Sequence, residues 1–329
     1  MPTTRVRYTF VKKIMTTHSR NGLLKNTIRI TWALLFCHIA AFTQPTEKSN
    51  TYPLQLEKLK GFTQTYLFSD GFQARAKSIA EFMEDAGNYF QEEVHFTPEI
   101  TLYILAPQHW RAIAAKPLHD TYGFPHNIDM QRLAMAAEDN PFWQSFLPPL
   151  DKLPEPLVAQ IDQAYGKPDG GHSMMPFFDL LALHEMGHSY HGQAGLKMHR
   201  NWMGELFVNI MLHTYIAENR PDLLPALETF PNMVVGAGAA EYQYTSLEDF
   251  ERLYASLGMG PKNYGWYQSK LHSAAKDIYN AGGKEVLKKL WKALEKHQEE
   301  MTDEAFADML NNEVHSSVAN VYLKWSNLN

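Results

Sequence analysis

The run HEMGH at positions 184–188 combines residue types that can bind a metal ion and activate water. On a helix, His184 and His188 lie about 40° apart around the axis, so both imidazoles can reach one ion. Glu185 lies beside them, where its carboxylate can contact a water molecule without displacing a ligand. Two neutral nitrogen ligands, an open coordination position and a nearby carboxylate are what a zinc hydrolase requires.

A zinc site of this kind needs a third protein ligand, and the candidate is Glu205 in the run NWMGELFVN, 17 residues after His188. Two glycines in the intervening loop would let the next helix fold back against the first. His191 is the alternative third ligand because it shares a helical face with His184 and His188. It lies nearly a turn further along the axis, however, too far for a tetrahedral site, and we expect it to line the cleft or contact a ligand. Asn209 follows Glu205 by one turn and could hydrogen-bond a ligand imidazole, which would set its tautomer.

The elements that must position these residues follow from hydrophobic periodicity. Apolar residues at helical spacing predict a helix over Phe72–Phe90, and β-branched and aromatic residues predict a strand over Glu99–Leu105. The run Gln131–Glu138, bracketed by loop sequences, is a second strand candidate, although its Ala and Met residues fit a helix equally well. The HEMGH helix should run from Pro176 to His191, with Ser173 as a cap. Further helices are predicted over Asn201–Asn219, Ser246–Leu257, Trp266–Asn280, Gly283–Lys296 and Thr302–Asn311.

This pattern predicts an α+β fold in one domain over residues 44–329. An α/β subdomain over 44–175 would hold a small sheet, and a mostly helical subdomain would occupy 176–329. The HEMGH helix would lie at their junction.

With these motifs the chain resembles the gluzincin zinc metallopeptidases, the thermolysin-like and aminopeptidase N-like enzymes, in which HExxH on one helix is completed by a Glu on the next. The resemblance covers Leu180–Asn209 as the ligand core, Leu133–Ala137 as a substrate-binding edge strand and, weakly, the later helices. It implies that Glu185 is the general base. It also implies one Zn²⁺ ion held by three residues: His184, His188 and Glu205.

Three features differ from the family pattern. The spacing from His188 to Glu205 is slightly shorter than in aminopeptidases. Asn209 stands where the family usually has Asp one turn after the third ligand, and the glycine-rich signature of exopeptidases is missing from the sequence. Exopeptidase activity is therefore not implied.

Enzymes of this class also use a Tyr or His from the helical half to stabilise negative charge on the carbonyl oxygen. The run NYGWYQSKLHSAAKDIY offers Tyr264, Tyr267 and His272. Tyr267 is the prediction because about 60 residues separate it from Glu205, similar to the aminopeptidase-like spacing. The alternative is that Tyr264 and Tyr267 pack with Trp266 in an aromatic core.

Residues 1–43 have the order of a secretory signal, with seven Lys and Arg residues, no Asp or Glu, then the apolar run ITWALLFCHIAAF and small residues. Cleavage after Thr43 would leave a chain that begins at Gln44, and a start at Met15 would shorten the long basic region. An uncleaved membrane anchor is the alternative, but the apolar run of 13 residues is shorter than the roughly 20 that a span needs. A lipid anchor at Cys37 is disfavoured because a bulky Phe precedes it.

Charge and cysteine content exclude other classes of function. The whole chain has a formal charge of −6, and loss of the basic leader would make it more acidic, so nucleic-acid binding is not expected. Without its leader the chain has no cysteine, so core burial or a bound ion must stabilise it instead of disulfides. We expect no stable membrane insertion after cleavage.

The sequence thus predicts an exported zinc metallopeptidase, periplasmic or extracellular, that acts on peptides or proteins. One alternative is a non-catalytic, zinc-stabilised module of the same fold that binds peptides, with His191 or His172 closing the fourth coordination position. A second alternative is a zinc amidohydrolase that acts on a non-peptide amide.

Overall fold

The computed structural model of the protein describes residues 55–114, 121–256 and 258–327. These residues all belong to one compact unit, Ser49–Asn329. The predicted signal peptide, residues 1–43, lies outside the described residues.

The described strands form one mixed sheet that precedes the HEMGH helix in the chain. They are β1 (Glu57–Lys58), β2 (Thr65–Phe68), β3 (Thr101–Leu105), β4 (His126–Asn127) and β5 (Arg132–Ala136). Their order is β1-β2-β3-β5-β4, with β2, β3 and β5 parallel and the two short outer strands antiparallel. Leu102 and Ile104, which share one face of β3, are fully buried, whereas Thr101 and Tyr103 on the other face are partly exposed.

The strand predicted over Gln131–Glu138 is confirmed as β5, but its predicted position at the sheet edge is wrong. β4 pairs with it, with His126 opposite Ala134 and Asn127 opposite Leu133. The hairpin forms because the Asp129 carboxylate accepts hydrogen bonds from the backbone N–H groups that begin β5, at 2.9 and 3.0 Å. A peptide substrate therefore could not extend the sheet along the residues that β4 covers.

Helices make up most of the remaining described chain. They are α1 (Gln73–Val94), α2 (Pro107–Ile113), α3 (Pro141–Gln144), α4 (Glu155–Tyr165), α5 (Met175–Gln193), α6 (Asn201–Asn219), α7 (Leu224–Gly236), α8 (Leu247–Leu253), α9 (Gly260–Gly282), α10 (Glu285–Lys296), α11 (Asp303–Met309) and α12 (Ser316–Leu323). The protein is thus a mixture of helix and sheet, as the α+β class predicts.

The HEMGH helix, α5, starts close to its predicted position. Pro176 lies in its first turn, where a missing N–H costs nothing, and the Ser173 hydroxyl accepts from the backbone N–H of Met175 at 3.0 Å. At the other end, the Gln193 side chain donates to the backbone carbonyls of Glu99 and Met130, at 2.9 and 2.7 Å. The bond at the start of α5 is local, and Met174 rather than the predicted Ser173 is the N-cap. The end of α5 is linked by Gln193 to the backbone of two other segments.

The Arg75 side chain links three elements of the fold. Its guanidinium pairs with Asp179 of α5 at 2.6 Å and also donates to the backbone carbonyl of Ala136 in β5. Because Arg75 lies on α1, this one side chain joins that helix, α5 and the sheet.

Helix α9 is longer than predicted and begins at Gly260 rather than Trp266. Pro261 occupies a first-turn position, where proline is tolerated. Gly265 lies inside the helix without a close neighbour. The extension matters because it places Tyr264 on a regular helix.

Candidate metal centre

Two neighbouring helices supply the candidate ligands. His184 and His188 lie on α5 and Glu205 lies on α6. A Cβ atom at Gly187 would lie 2.8 Å from Cβ and Cγ1 of Val208 on α6, closer than real Cβ atoms approach. The helices can therefore come this close only because position 187 has no side chain.

The three side chains direct their ligand atoms toward one another. Glu205 Oε2 lies 3.3 Å from His184 Nε2 and 3.7 Å from His188 Nε2, and all three ligand atoms lie within 4.8 Å of one another. Ligand atoms bound to zinc at about 2.0–2.1 Å in a tetrahedron lie about 3.3 Å apart, so these separations fit one ion. Across the described ranges, this is the one group of three or more His, Cys, Asp or Glu residues that meets in this way. The group could therefore hold a metal ion.

Hydrogen bonds behind the imidazoles fix which nitrogen faces the centre. Asn209 Oδ1 lies 2.9 Å from His184 Nδ1, which confirms the predicted contact of Asn209 with a ligand imidazole. His191 Nε2 lies 3.2 Å from His188 Nδ1. Since each Nδ1 is best assigned as a donor to these partners, each Nε2 is left to face Glu205. His191 thus contacts the Nδ1 atom of His188, the ring nitrogen that does not face Glu205, and it is not part of the ligand group.

Both oxygen atoms of Glu205 are held by hydrogen-bond donors. The carboxylate is 1% exposed. Oε1 accepts from the Tyr254 hydroxyl, and Oε2 accepts from Gln268 Nε2 at 2.7 Å. A buried carboxylate with this many donors has little rotational freedom.

Burial keeps the histidines around the centre neutral. It lowers the pKa of His188 to about 3, of His191 to about 4 and of His272 to about 3, because an imidazolium would lose its hydration. A neutral imidazole is the form that binds a metal ion.

Glu205 and His184 lie in contact, and their pKa values are shifted in opposite directions. Burial opposes the charge of Glu205, but its electrostatic interactions with the His188 and His184 rings and the hydrogen bonds from His184 and the Tyr254 hydroxyl outweigh burial and hold the pKa of Glu205 below its usual range. Burial would lower the pKa of His184, yet the Glu205 and Glu185 carboxylates raise it. A cation bound here would replace the proton that Glu205 shares with His184.

The side of the centre that solvent reaches is lined by the predicted general base. The His188 side chain is 16% exposed, and Glu185 next to the ligands is half-buried. The negative charge of Glu185 helps to raise the pKa of both Tyr254 and Tyr264, so the three groups lie near one another. Both tyrosines therefore keep their protons at neutral pH, and Tyr254 donates its proton to Glu205.

The three candidates for oxyanion stabilisation have different surroundings. The Tyr267 hydroxyl donates to the backbone carbonyl of Ser246 at 2.7 Å, and its ring packs in an aromatic cluster with Phe250, Trp266 and Trp325. Tyr267 is thus in the packed core, as the alternative interpretation proposed for it. The structure places Tyr264, not Tyr267, beside the ligand network.

The other two candidates lie next to the ligands. The Tyr264 hydroxyl accepts from Gln268 Nε2 at 2.8 Å, and that same nitrogen donates to Glu205. The His272 ring stacks on that of His184 with centroids 6.0 Å apart, but it is 8% exposed and also packs against Phe177. His272 therefore supports a ligand, and Tyr264, which is half-buried, is the candidate linked to Glu205 through Gln268.

A segment that the sequence did not link to the site fixes the start of α6. The Glu251 carboxylate accepts from the backbone N–H groups of Asn201 and Trp202 at 3.0 and 2.9 Å, where the positive end of the helix dipole favours an anion. Three residues later in the chain, Tyr254 reaches Glu205. The segment around α8 therefore contacts both the first residues of α6 and Glu205, the candidate ligand on that helix.

Sequence reasoning missed Tyr254 and Gln268. Helical periodicity relates residues that are three or four positions apart, whereas these two come from segments 49 and 63 residues beyond Glu205. No local signal distinguishes them from the other tyrosines and glutamines of the helical region.

None of the helices in the described ranges is both long and apolar enough to cross a membrane. Comparison of the chain with protein-family profiles, with curated proteins and with solved structures finds no match.

Proposed function

We propose that this protein is an exported zinc metallopeptidase that resembles the gluzincins. The observation that supports it most is the arrangement on α5 and α6, where His184, His188 and Glu205 turn one ligand atom each toward a common point. Glu185 lies beside them on the side that solvent reaches. Catalytic zinc sites have three protein ligands and an accessible fourth position, whereas structural sites are closed by a fourth ligand.

The donor set favours zinc among the divalent metals, because two imidazoles and one carboxylate are typical of zinc hydrolases. Zinc, when bound, would supply a Lewis acid that polarises a peptide carbonyl and makes water more acidic.

The residues of this chain would then carry the proton transfers. Glu185 accepts a proton from the attacking water as the oxygen adds to the carbonyl carbon, and it delivers that proton to the amine as the C–N bond breaks. Tyr264 takes the role first assigned to Tyr267 and donates a hydrogen bond to the carbonyl oxygen as negative charge develops there. Asn209 and His191 keep the ligand imidazoles in the required tautomer.

The candidates for a closing fourth ligand have other partners, which argues against a purely structural zinc. His191 Nε2 faces Nδ1 of His188, behind the centre. His172 Nε2 is paired with Asp162 at 2.6 Å. The non-catalytic peptide-binding module and the amidohydrolase remain as outcomes of the experiment below.

The experiment is metal analysis of the purified protein beside Glu205→Ala, with a quenched-peptide cleavage assay of the wild type and Glu185→Gln. We expect near-stoichiometric zinc that is lost with Glu205→Ala, and cleavage that is lost with Glu185→Gln while zinc stays bound. A wild type that binds no zinc would overturn the metal centre. Zinc without cleavage of peptides would favour the binding module, or the amidohydrolase if a non-peptide amide is hydrolysed.

We also propose that the two-part organisation follows the gluzincin plan, with an α/β part over 44–175 and a helical part over 176–329. Export through residues 1–43 belongs to the same proposal. Sequencing the amino terminus of protein recovered from the medium or periplasm tests it, and Gln44 as the first residue is the expected result.

A further inference from the structure

Gln268 of α9 contacts three separate parts of the candidate centre. Its Nε2 atom donates to Glu205 Oε2 at 2.7 Å and to the Tyr264 hydroxyl at 2.8 Å. Its Oε1 atom lies 3.5 Å from Asn209 Nδ2, and Asn209 in turn holds His184. One half-buried amide therefore touches the third candidate ligand, the candidate oxyanion donor and the residue that orients an imidazole.

The chemistry of these partners fixes the orientation of the amide. A carboxylate accepts hydrogen bonds and cannot donate them, so the nitrogen of Gln268 must face Glu205. Its second N–H then goes to the Tyr264 oxygen. Because Tyr264 accepts from Gln268, its own proton points away from the amide and is available to another acceptor.

The position of the contact on Glu205 is also informative. Tyr254 holds Oε1, whereas Gln268 holds Oε2, the oxygen that faces the two histidines. With both oxygens held, the carboxylate cannot rotate away from the imidazoles without losing a charge-assisted hydrogen bond.

We propose that Gln268 is a positioning residue that keeps Oε2 of Glu205 directed at the metal position and leaves the Tyr264 proton free for the reacting carbonyl. Its effect on Glu205 concerns metal binding alone. Its effect on Tyr264 rests on the proposed peptidase function.

The first test measures zinc affinity of the full chain by competition with a chromophoric chelator. Gln268→Met keeps the length and packing of the side chain but removes both N–H donors. We expect it to bind zinc 10-fold to 100-fold more weakly, as is typical when a partner of a ligand is lost. Gln163→Met, at an exposed position on α4, is the matched control and should bind zinc like the wild type.

A structural role would lower the stability of the metal-free protein without a specific loss of affinity, so thermal unfolding of the metal-free variants is measured alongside. Gln268→Asn is the second variant because it stays polar but withdraws the amide from Glu205, and it should also weaken zinc binding. If Gln268→Met folds and binds zinc like the wild type, the proposal is overturned. Should the Met variant fail to fold, wild-type affinity in the Asn variant overturns it instead.

The second test uses kcat for peptide cleavage in Gln268→Met, Tyr264→Phe and the double variant, all saturated with zinc. If Gln268 acts through Tyr264, the double variant should be no more than about twofold slower than the slower single variant. If the fold-loss in kcat of the double variant equals the product of the two single-variant losses, the proposed effect of Gln268 on Tyr264 is overturned. A wild type that binds zinc but cleaves no peptide would contradict the peptidase function and this effect together, while the affinity measurements would still decide the role of Gln268 at Glu205.

Discussion

Tyr264 and Tyr267 lie one turn apart on α9 but have different neighbours. Tyr264 shares the Gln268 amide with Glu205, whereas the Tyr267 hydroxyl donates to the Ser246 carbonyl inside the core. We expect Tyr264→Phe to lower kcat about 100-fold to 1000-fold, as loss of an oxyanion donor does, with little change in KM or zinc content.

The matched control is Tyr267→Phe, which removes a buried hydrogen bond that goes to the Ser246 carbonyl and not to a residue of the ligand network. It should cost about 1 kcal/mol of unfolding free energy and leave kcat unchanged. Steady-state kinetics and chemical denaturation of both variants check this pair. A fall in kcat with Tyr267→Phe and not with Tyr264→Phe would restore Tyr267 as the oxyanion donor.

At the same scale, the sequence predicts those site residues that share a short stretch of chain. His184, His188 and Glu185 follow from helical periodicity, and Glu205 with Asn209 follows from one further helix that had to fold back. The Tyr254 and Gln268 contacts depend on how distant segments pack, which no local pattern records.

Among the elements, α5 and α6 must approach closely enough for the three ligand atoms to meet. Ala is normally a better helix former than Gly by about 0.5–1 kcal/mol, but a Cβ at Gly187 would lie 2.8 Å from the Val208 side chain. Overpacking of this kind costs about 1–3 kcal/mol. We therefore expect Gly187→Ala to destabilise the protein and to weaken zinc binding by moving Glu205 away from the histidines.

Gly87 in α1 is the matched control because a Cβ there would meet no atom within 4 Å. Gly87→Ala should stabilise the protein by about 0.5–1 kcal/mol and leave zinc affinity unchanged. Unfolding curves and zinc titrations of the two variants test the contrast. Equal stabilisation by both substitutions would show that the helices can separate without cost.

The Glu84 carboxylate links α1 to β2 and to the residues just before that strand. Glu84 of α1 accepts from the backbone N–H groups of Thr63 and Gln64 at 3.0 and 2.9 Å, and from the Tyr66 hydroxyl. Burial opposes its charge, but these donors outweigh burial and hold the pKa of Glu84 below its ordinary value of 4.5. A carboxylate with a lowered pKa stabilises the fold fully above its unfolded pKa, and the contribution is lost as pH falls through the folded pKa.

We therefore expect Glu84→Gln to destabilise the protein at pH 7 by roughly 1–2 kcal/mol, and the difference from wild type to shrink as the pH falls below 4.5. Glu81→Gln is the control on the same helix, since Glu81 makes an exposed pair with Lys77. It should change stability by less than about 0.5 kcal/mol. Urea unfolding at pH 7 and at pH 4 measures both effects, and a Glu84→Gln deficit that grows at the lower pH would contradict the assignment.

A helix or strand could be predicted from the sequence when its periodic pattern of apolar residues was long. Helix α6 matches its predicted bounds, Asn201–Asn219, whereas α7 was not predicted. Its sequence contains Pro225 and Pro231, and proline disfavours a helix interior. The edge position of β5 was wrong because β4, only two residues long, is too short to leave a periodic pattern.

In the whole molecule, the candidate centre joins segments that are far apart in the chain. Helices α5, α6 and α9 and the segment after α8 all contribute side chains to one buried network around Glu205. Because the unfolded chain cannot hold these groups together, a metal ion that binds only the folded state must stabilise it.

Removal of the metal should therefore lower the thermal stability of the protein. Zinc at about 1000 times its Kd contributes about 4 kcal/mol, which for a chain of this size corresponds to a Tm shift on the order of 5–10 °C. Differential scanning calorimetry before and after treatment with a chelator, and again after zinc is restored, measures the shift. Glu205→Ala is the internal control, because without the third ligand its Tm should respond little to either treatment. If the wild type melts at the same temperature with and without chelator although zinc is removed, the ion does not bind the folded state in preference to the unfolded chain, and the site proposed between α5 and α6 is contradicted.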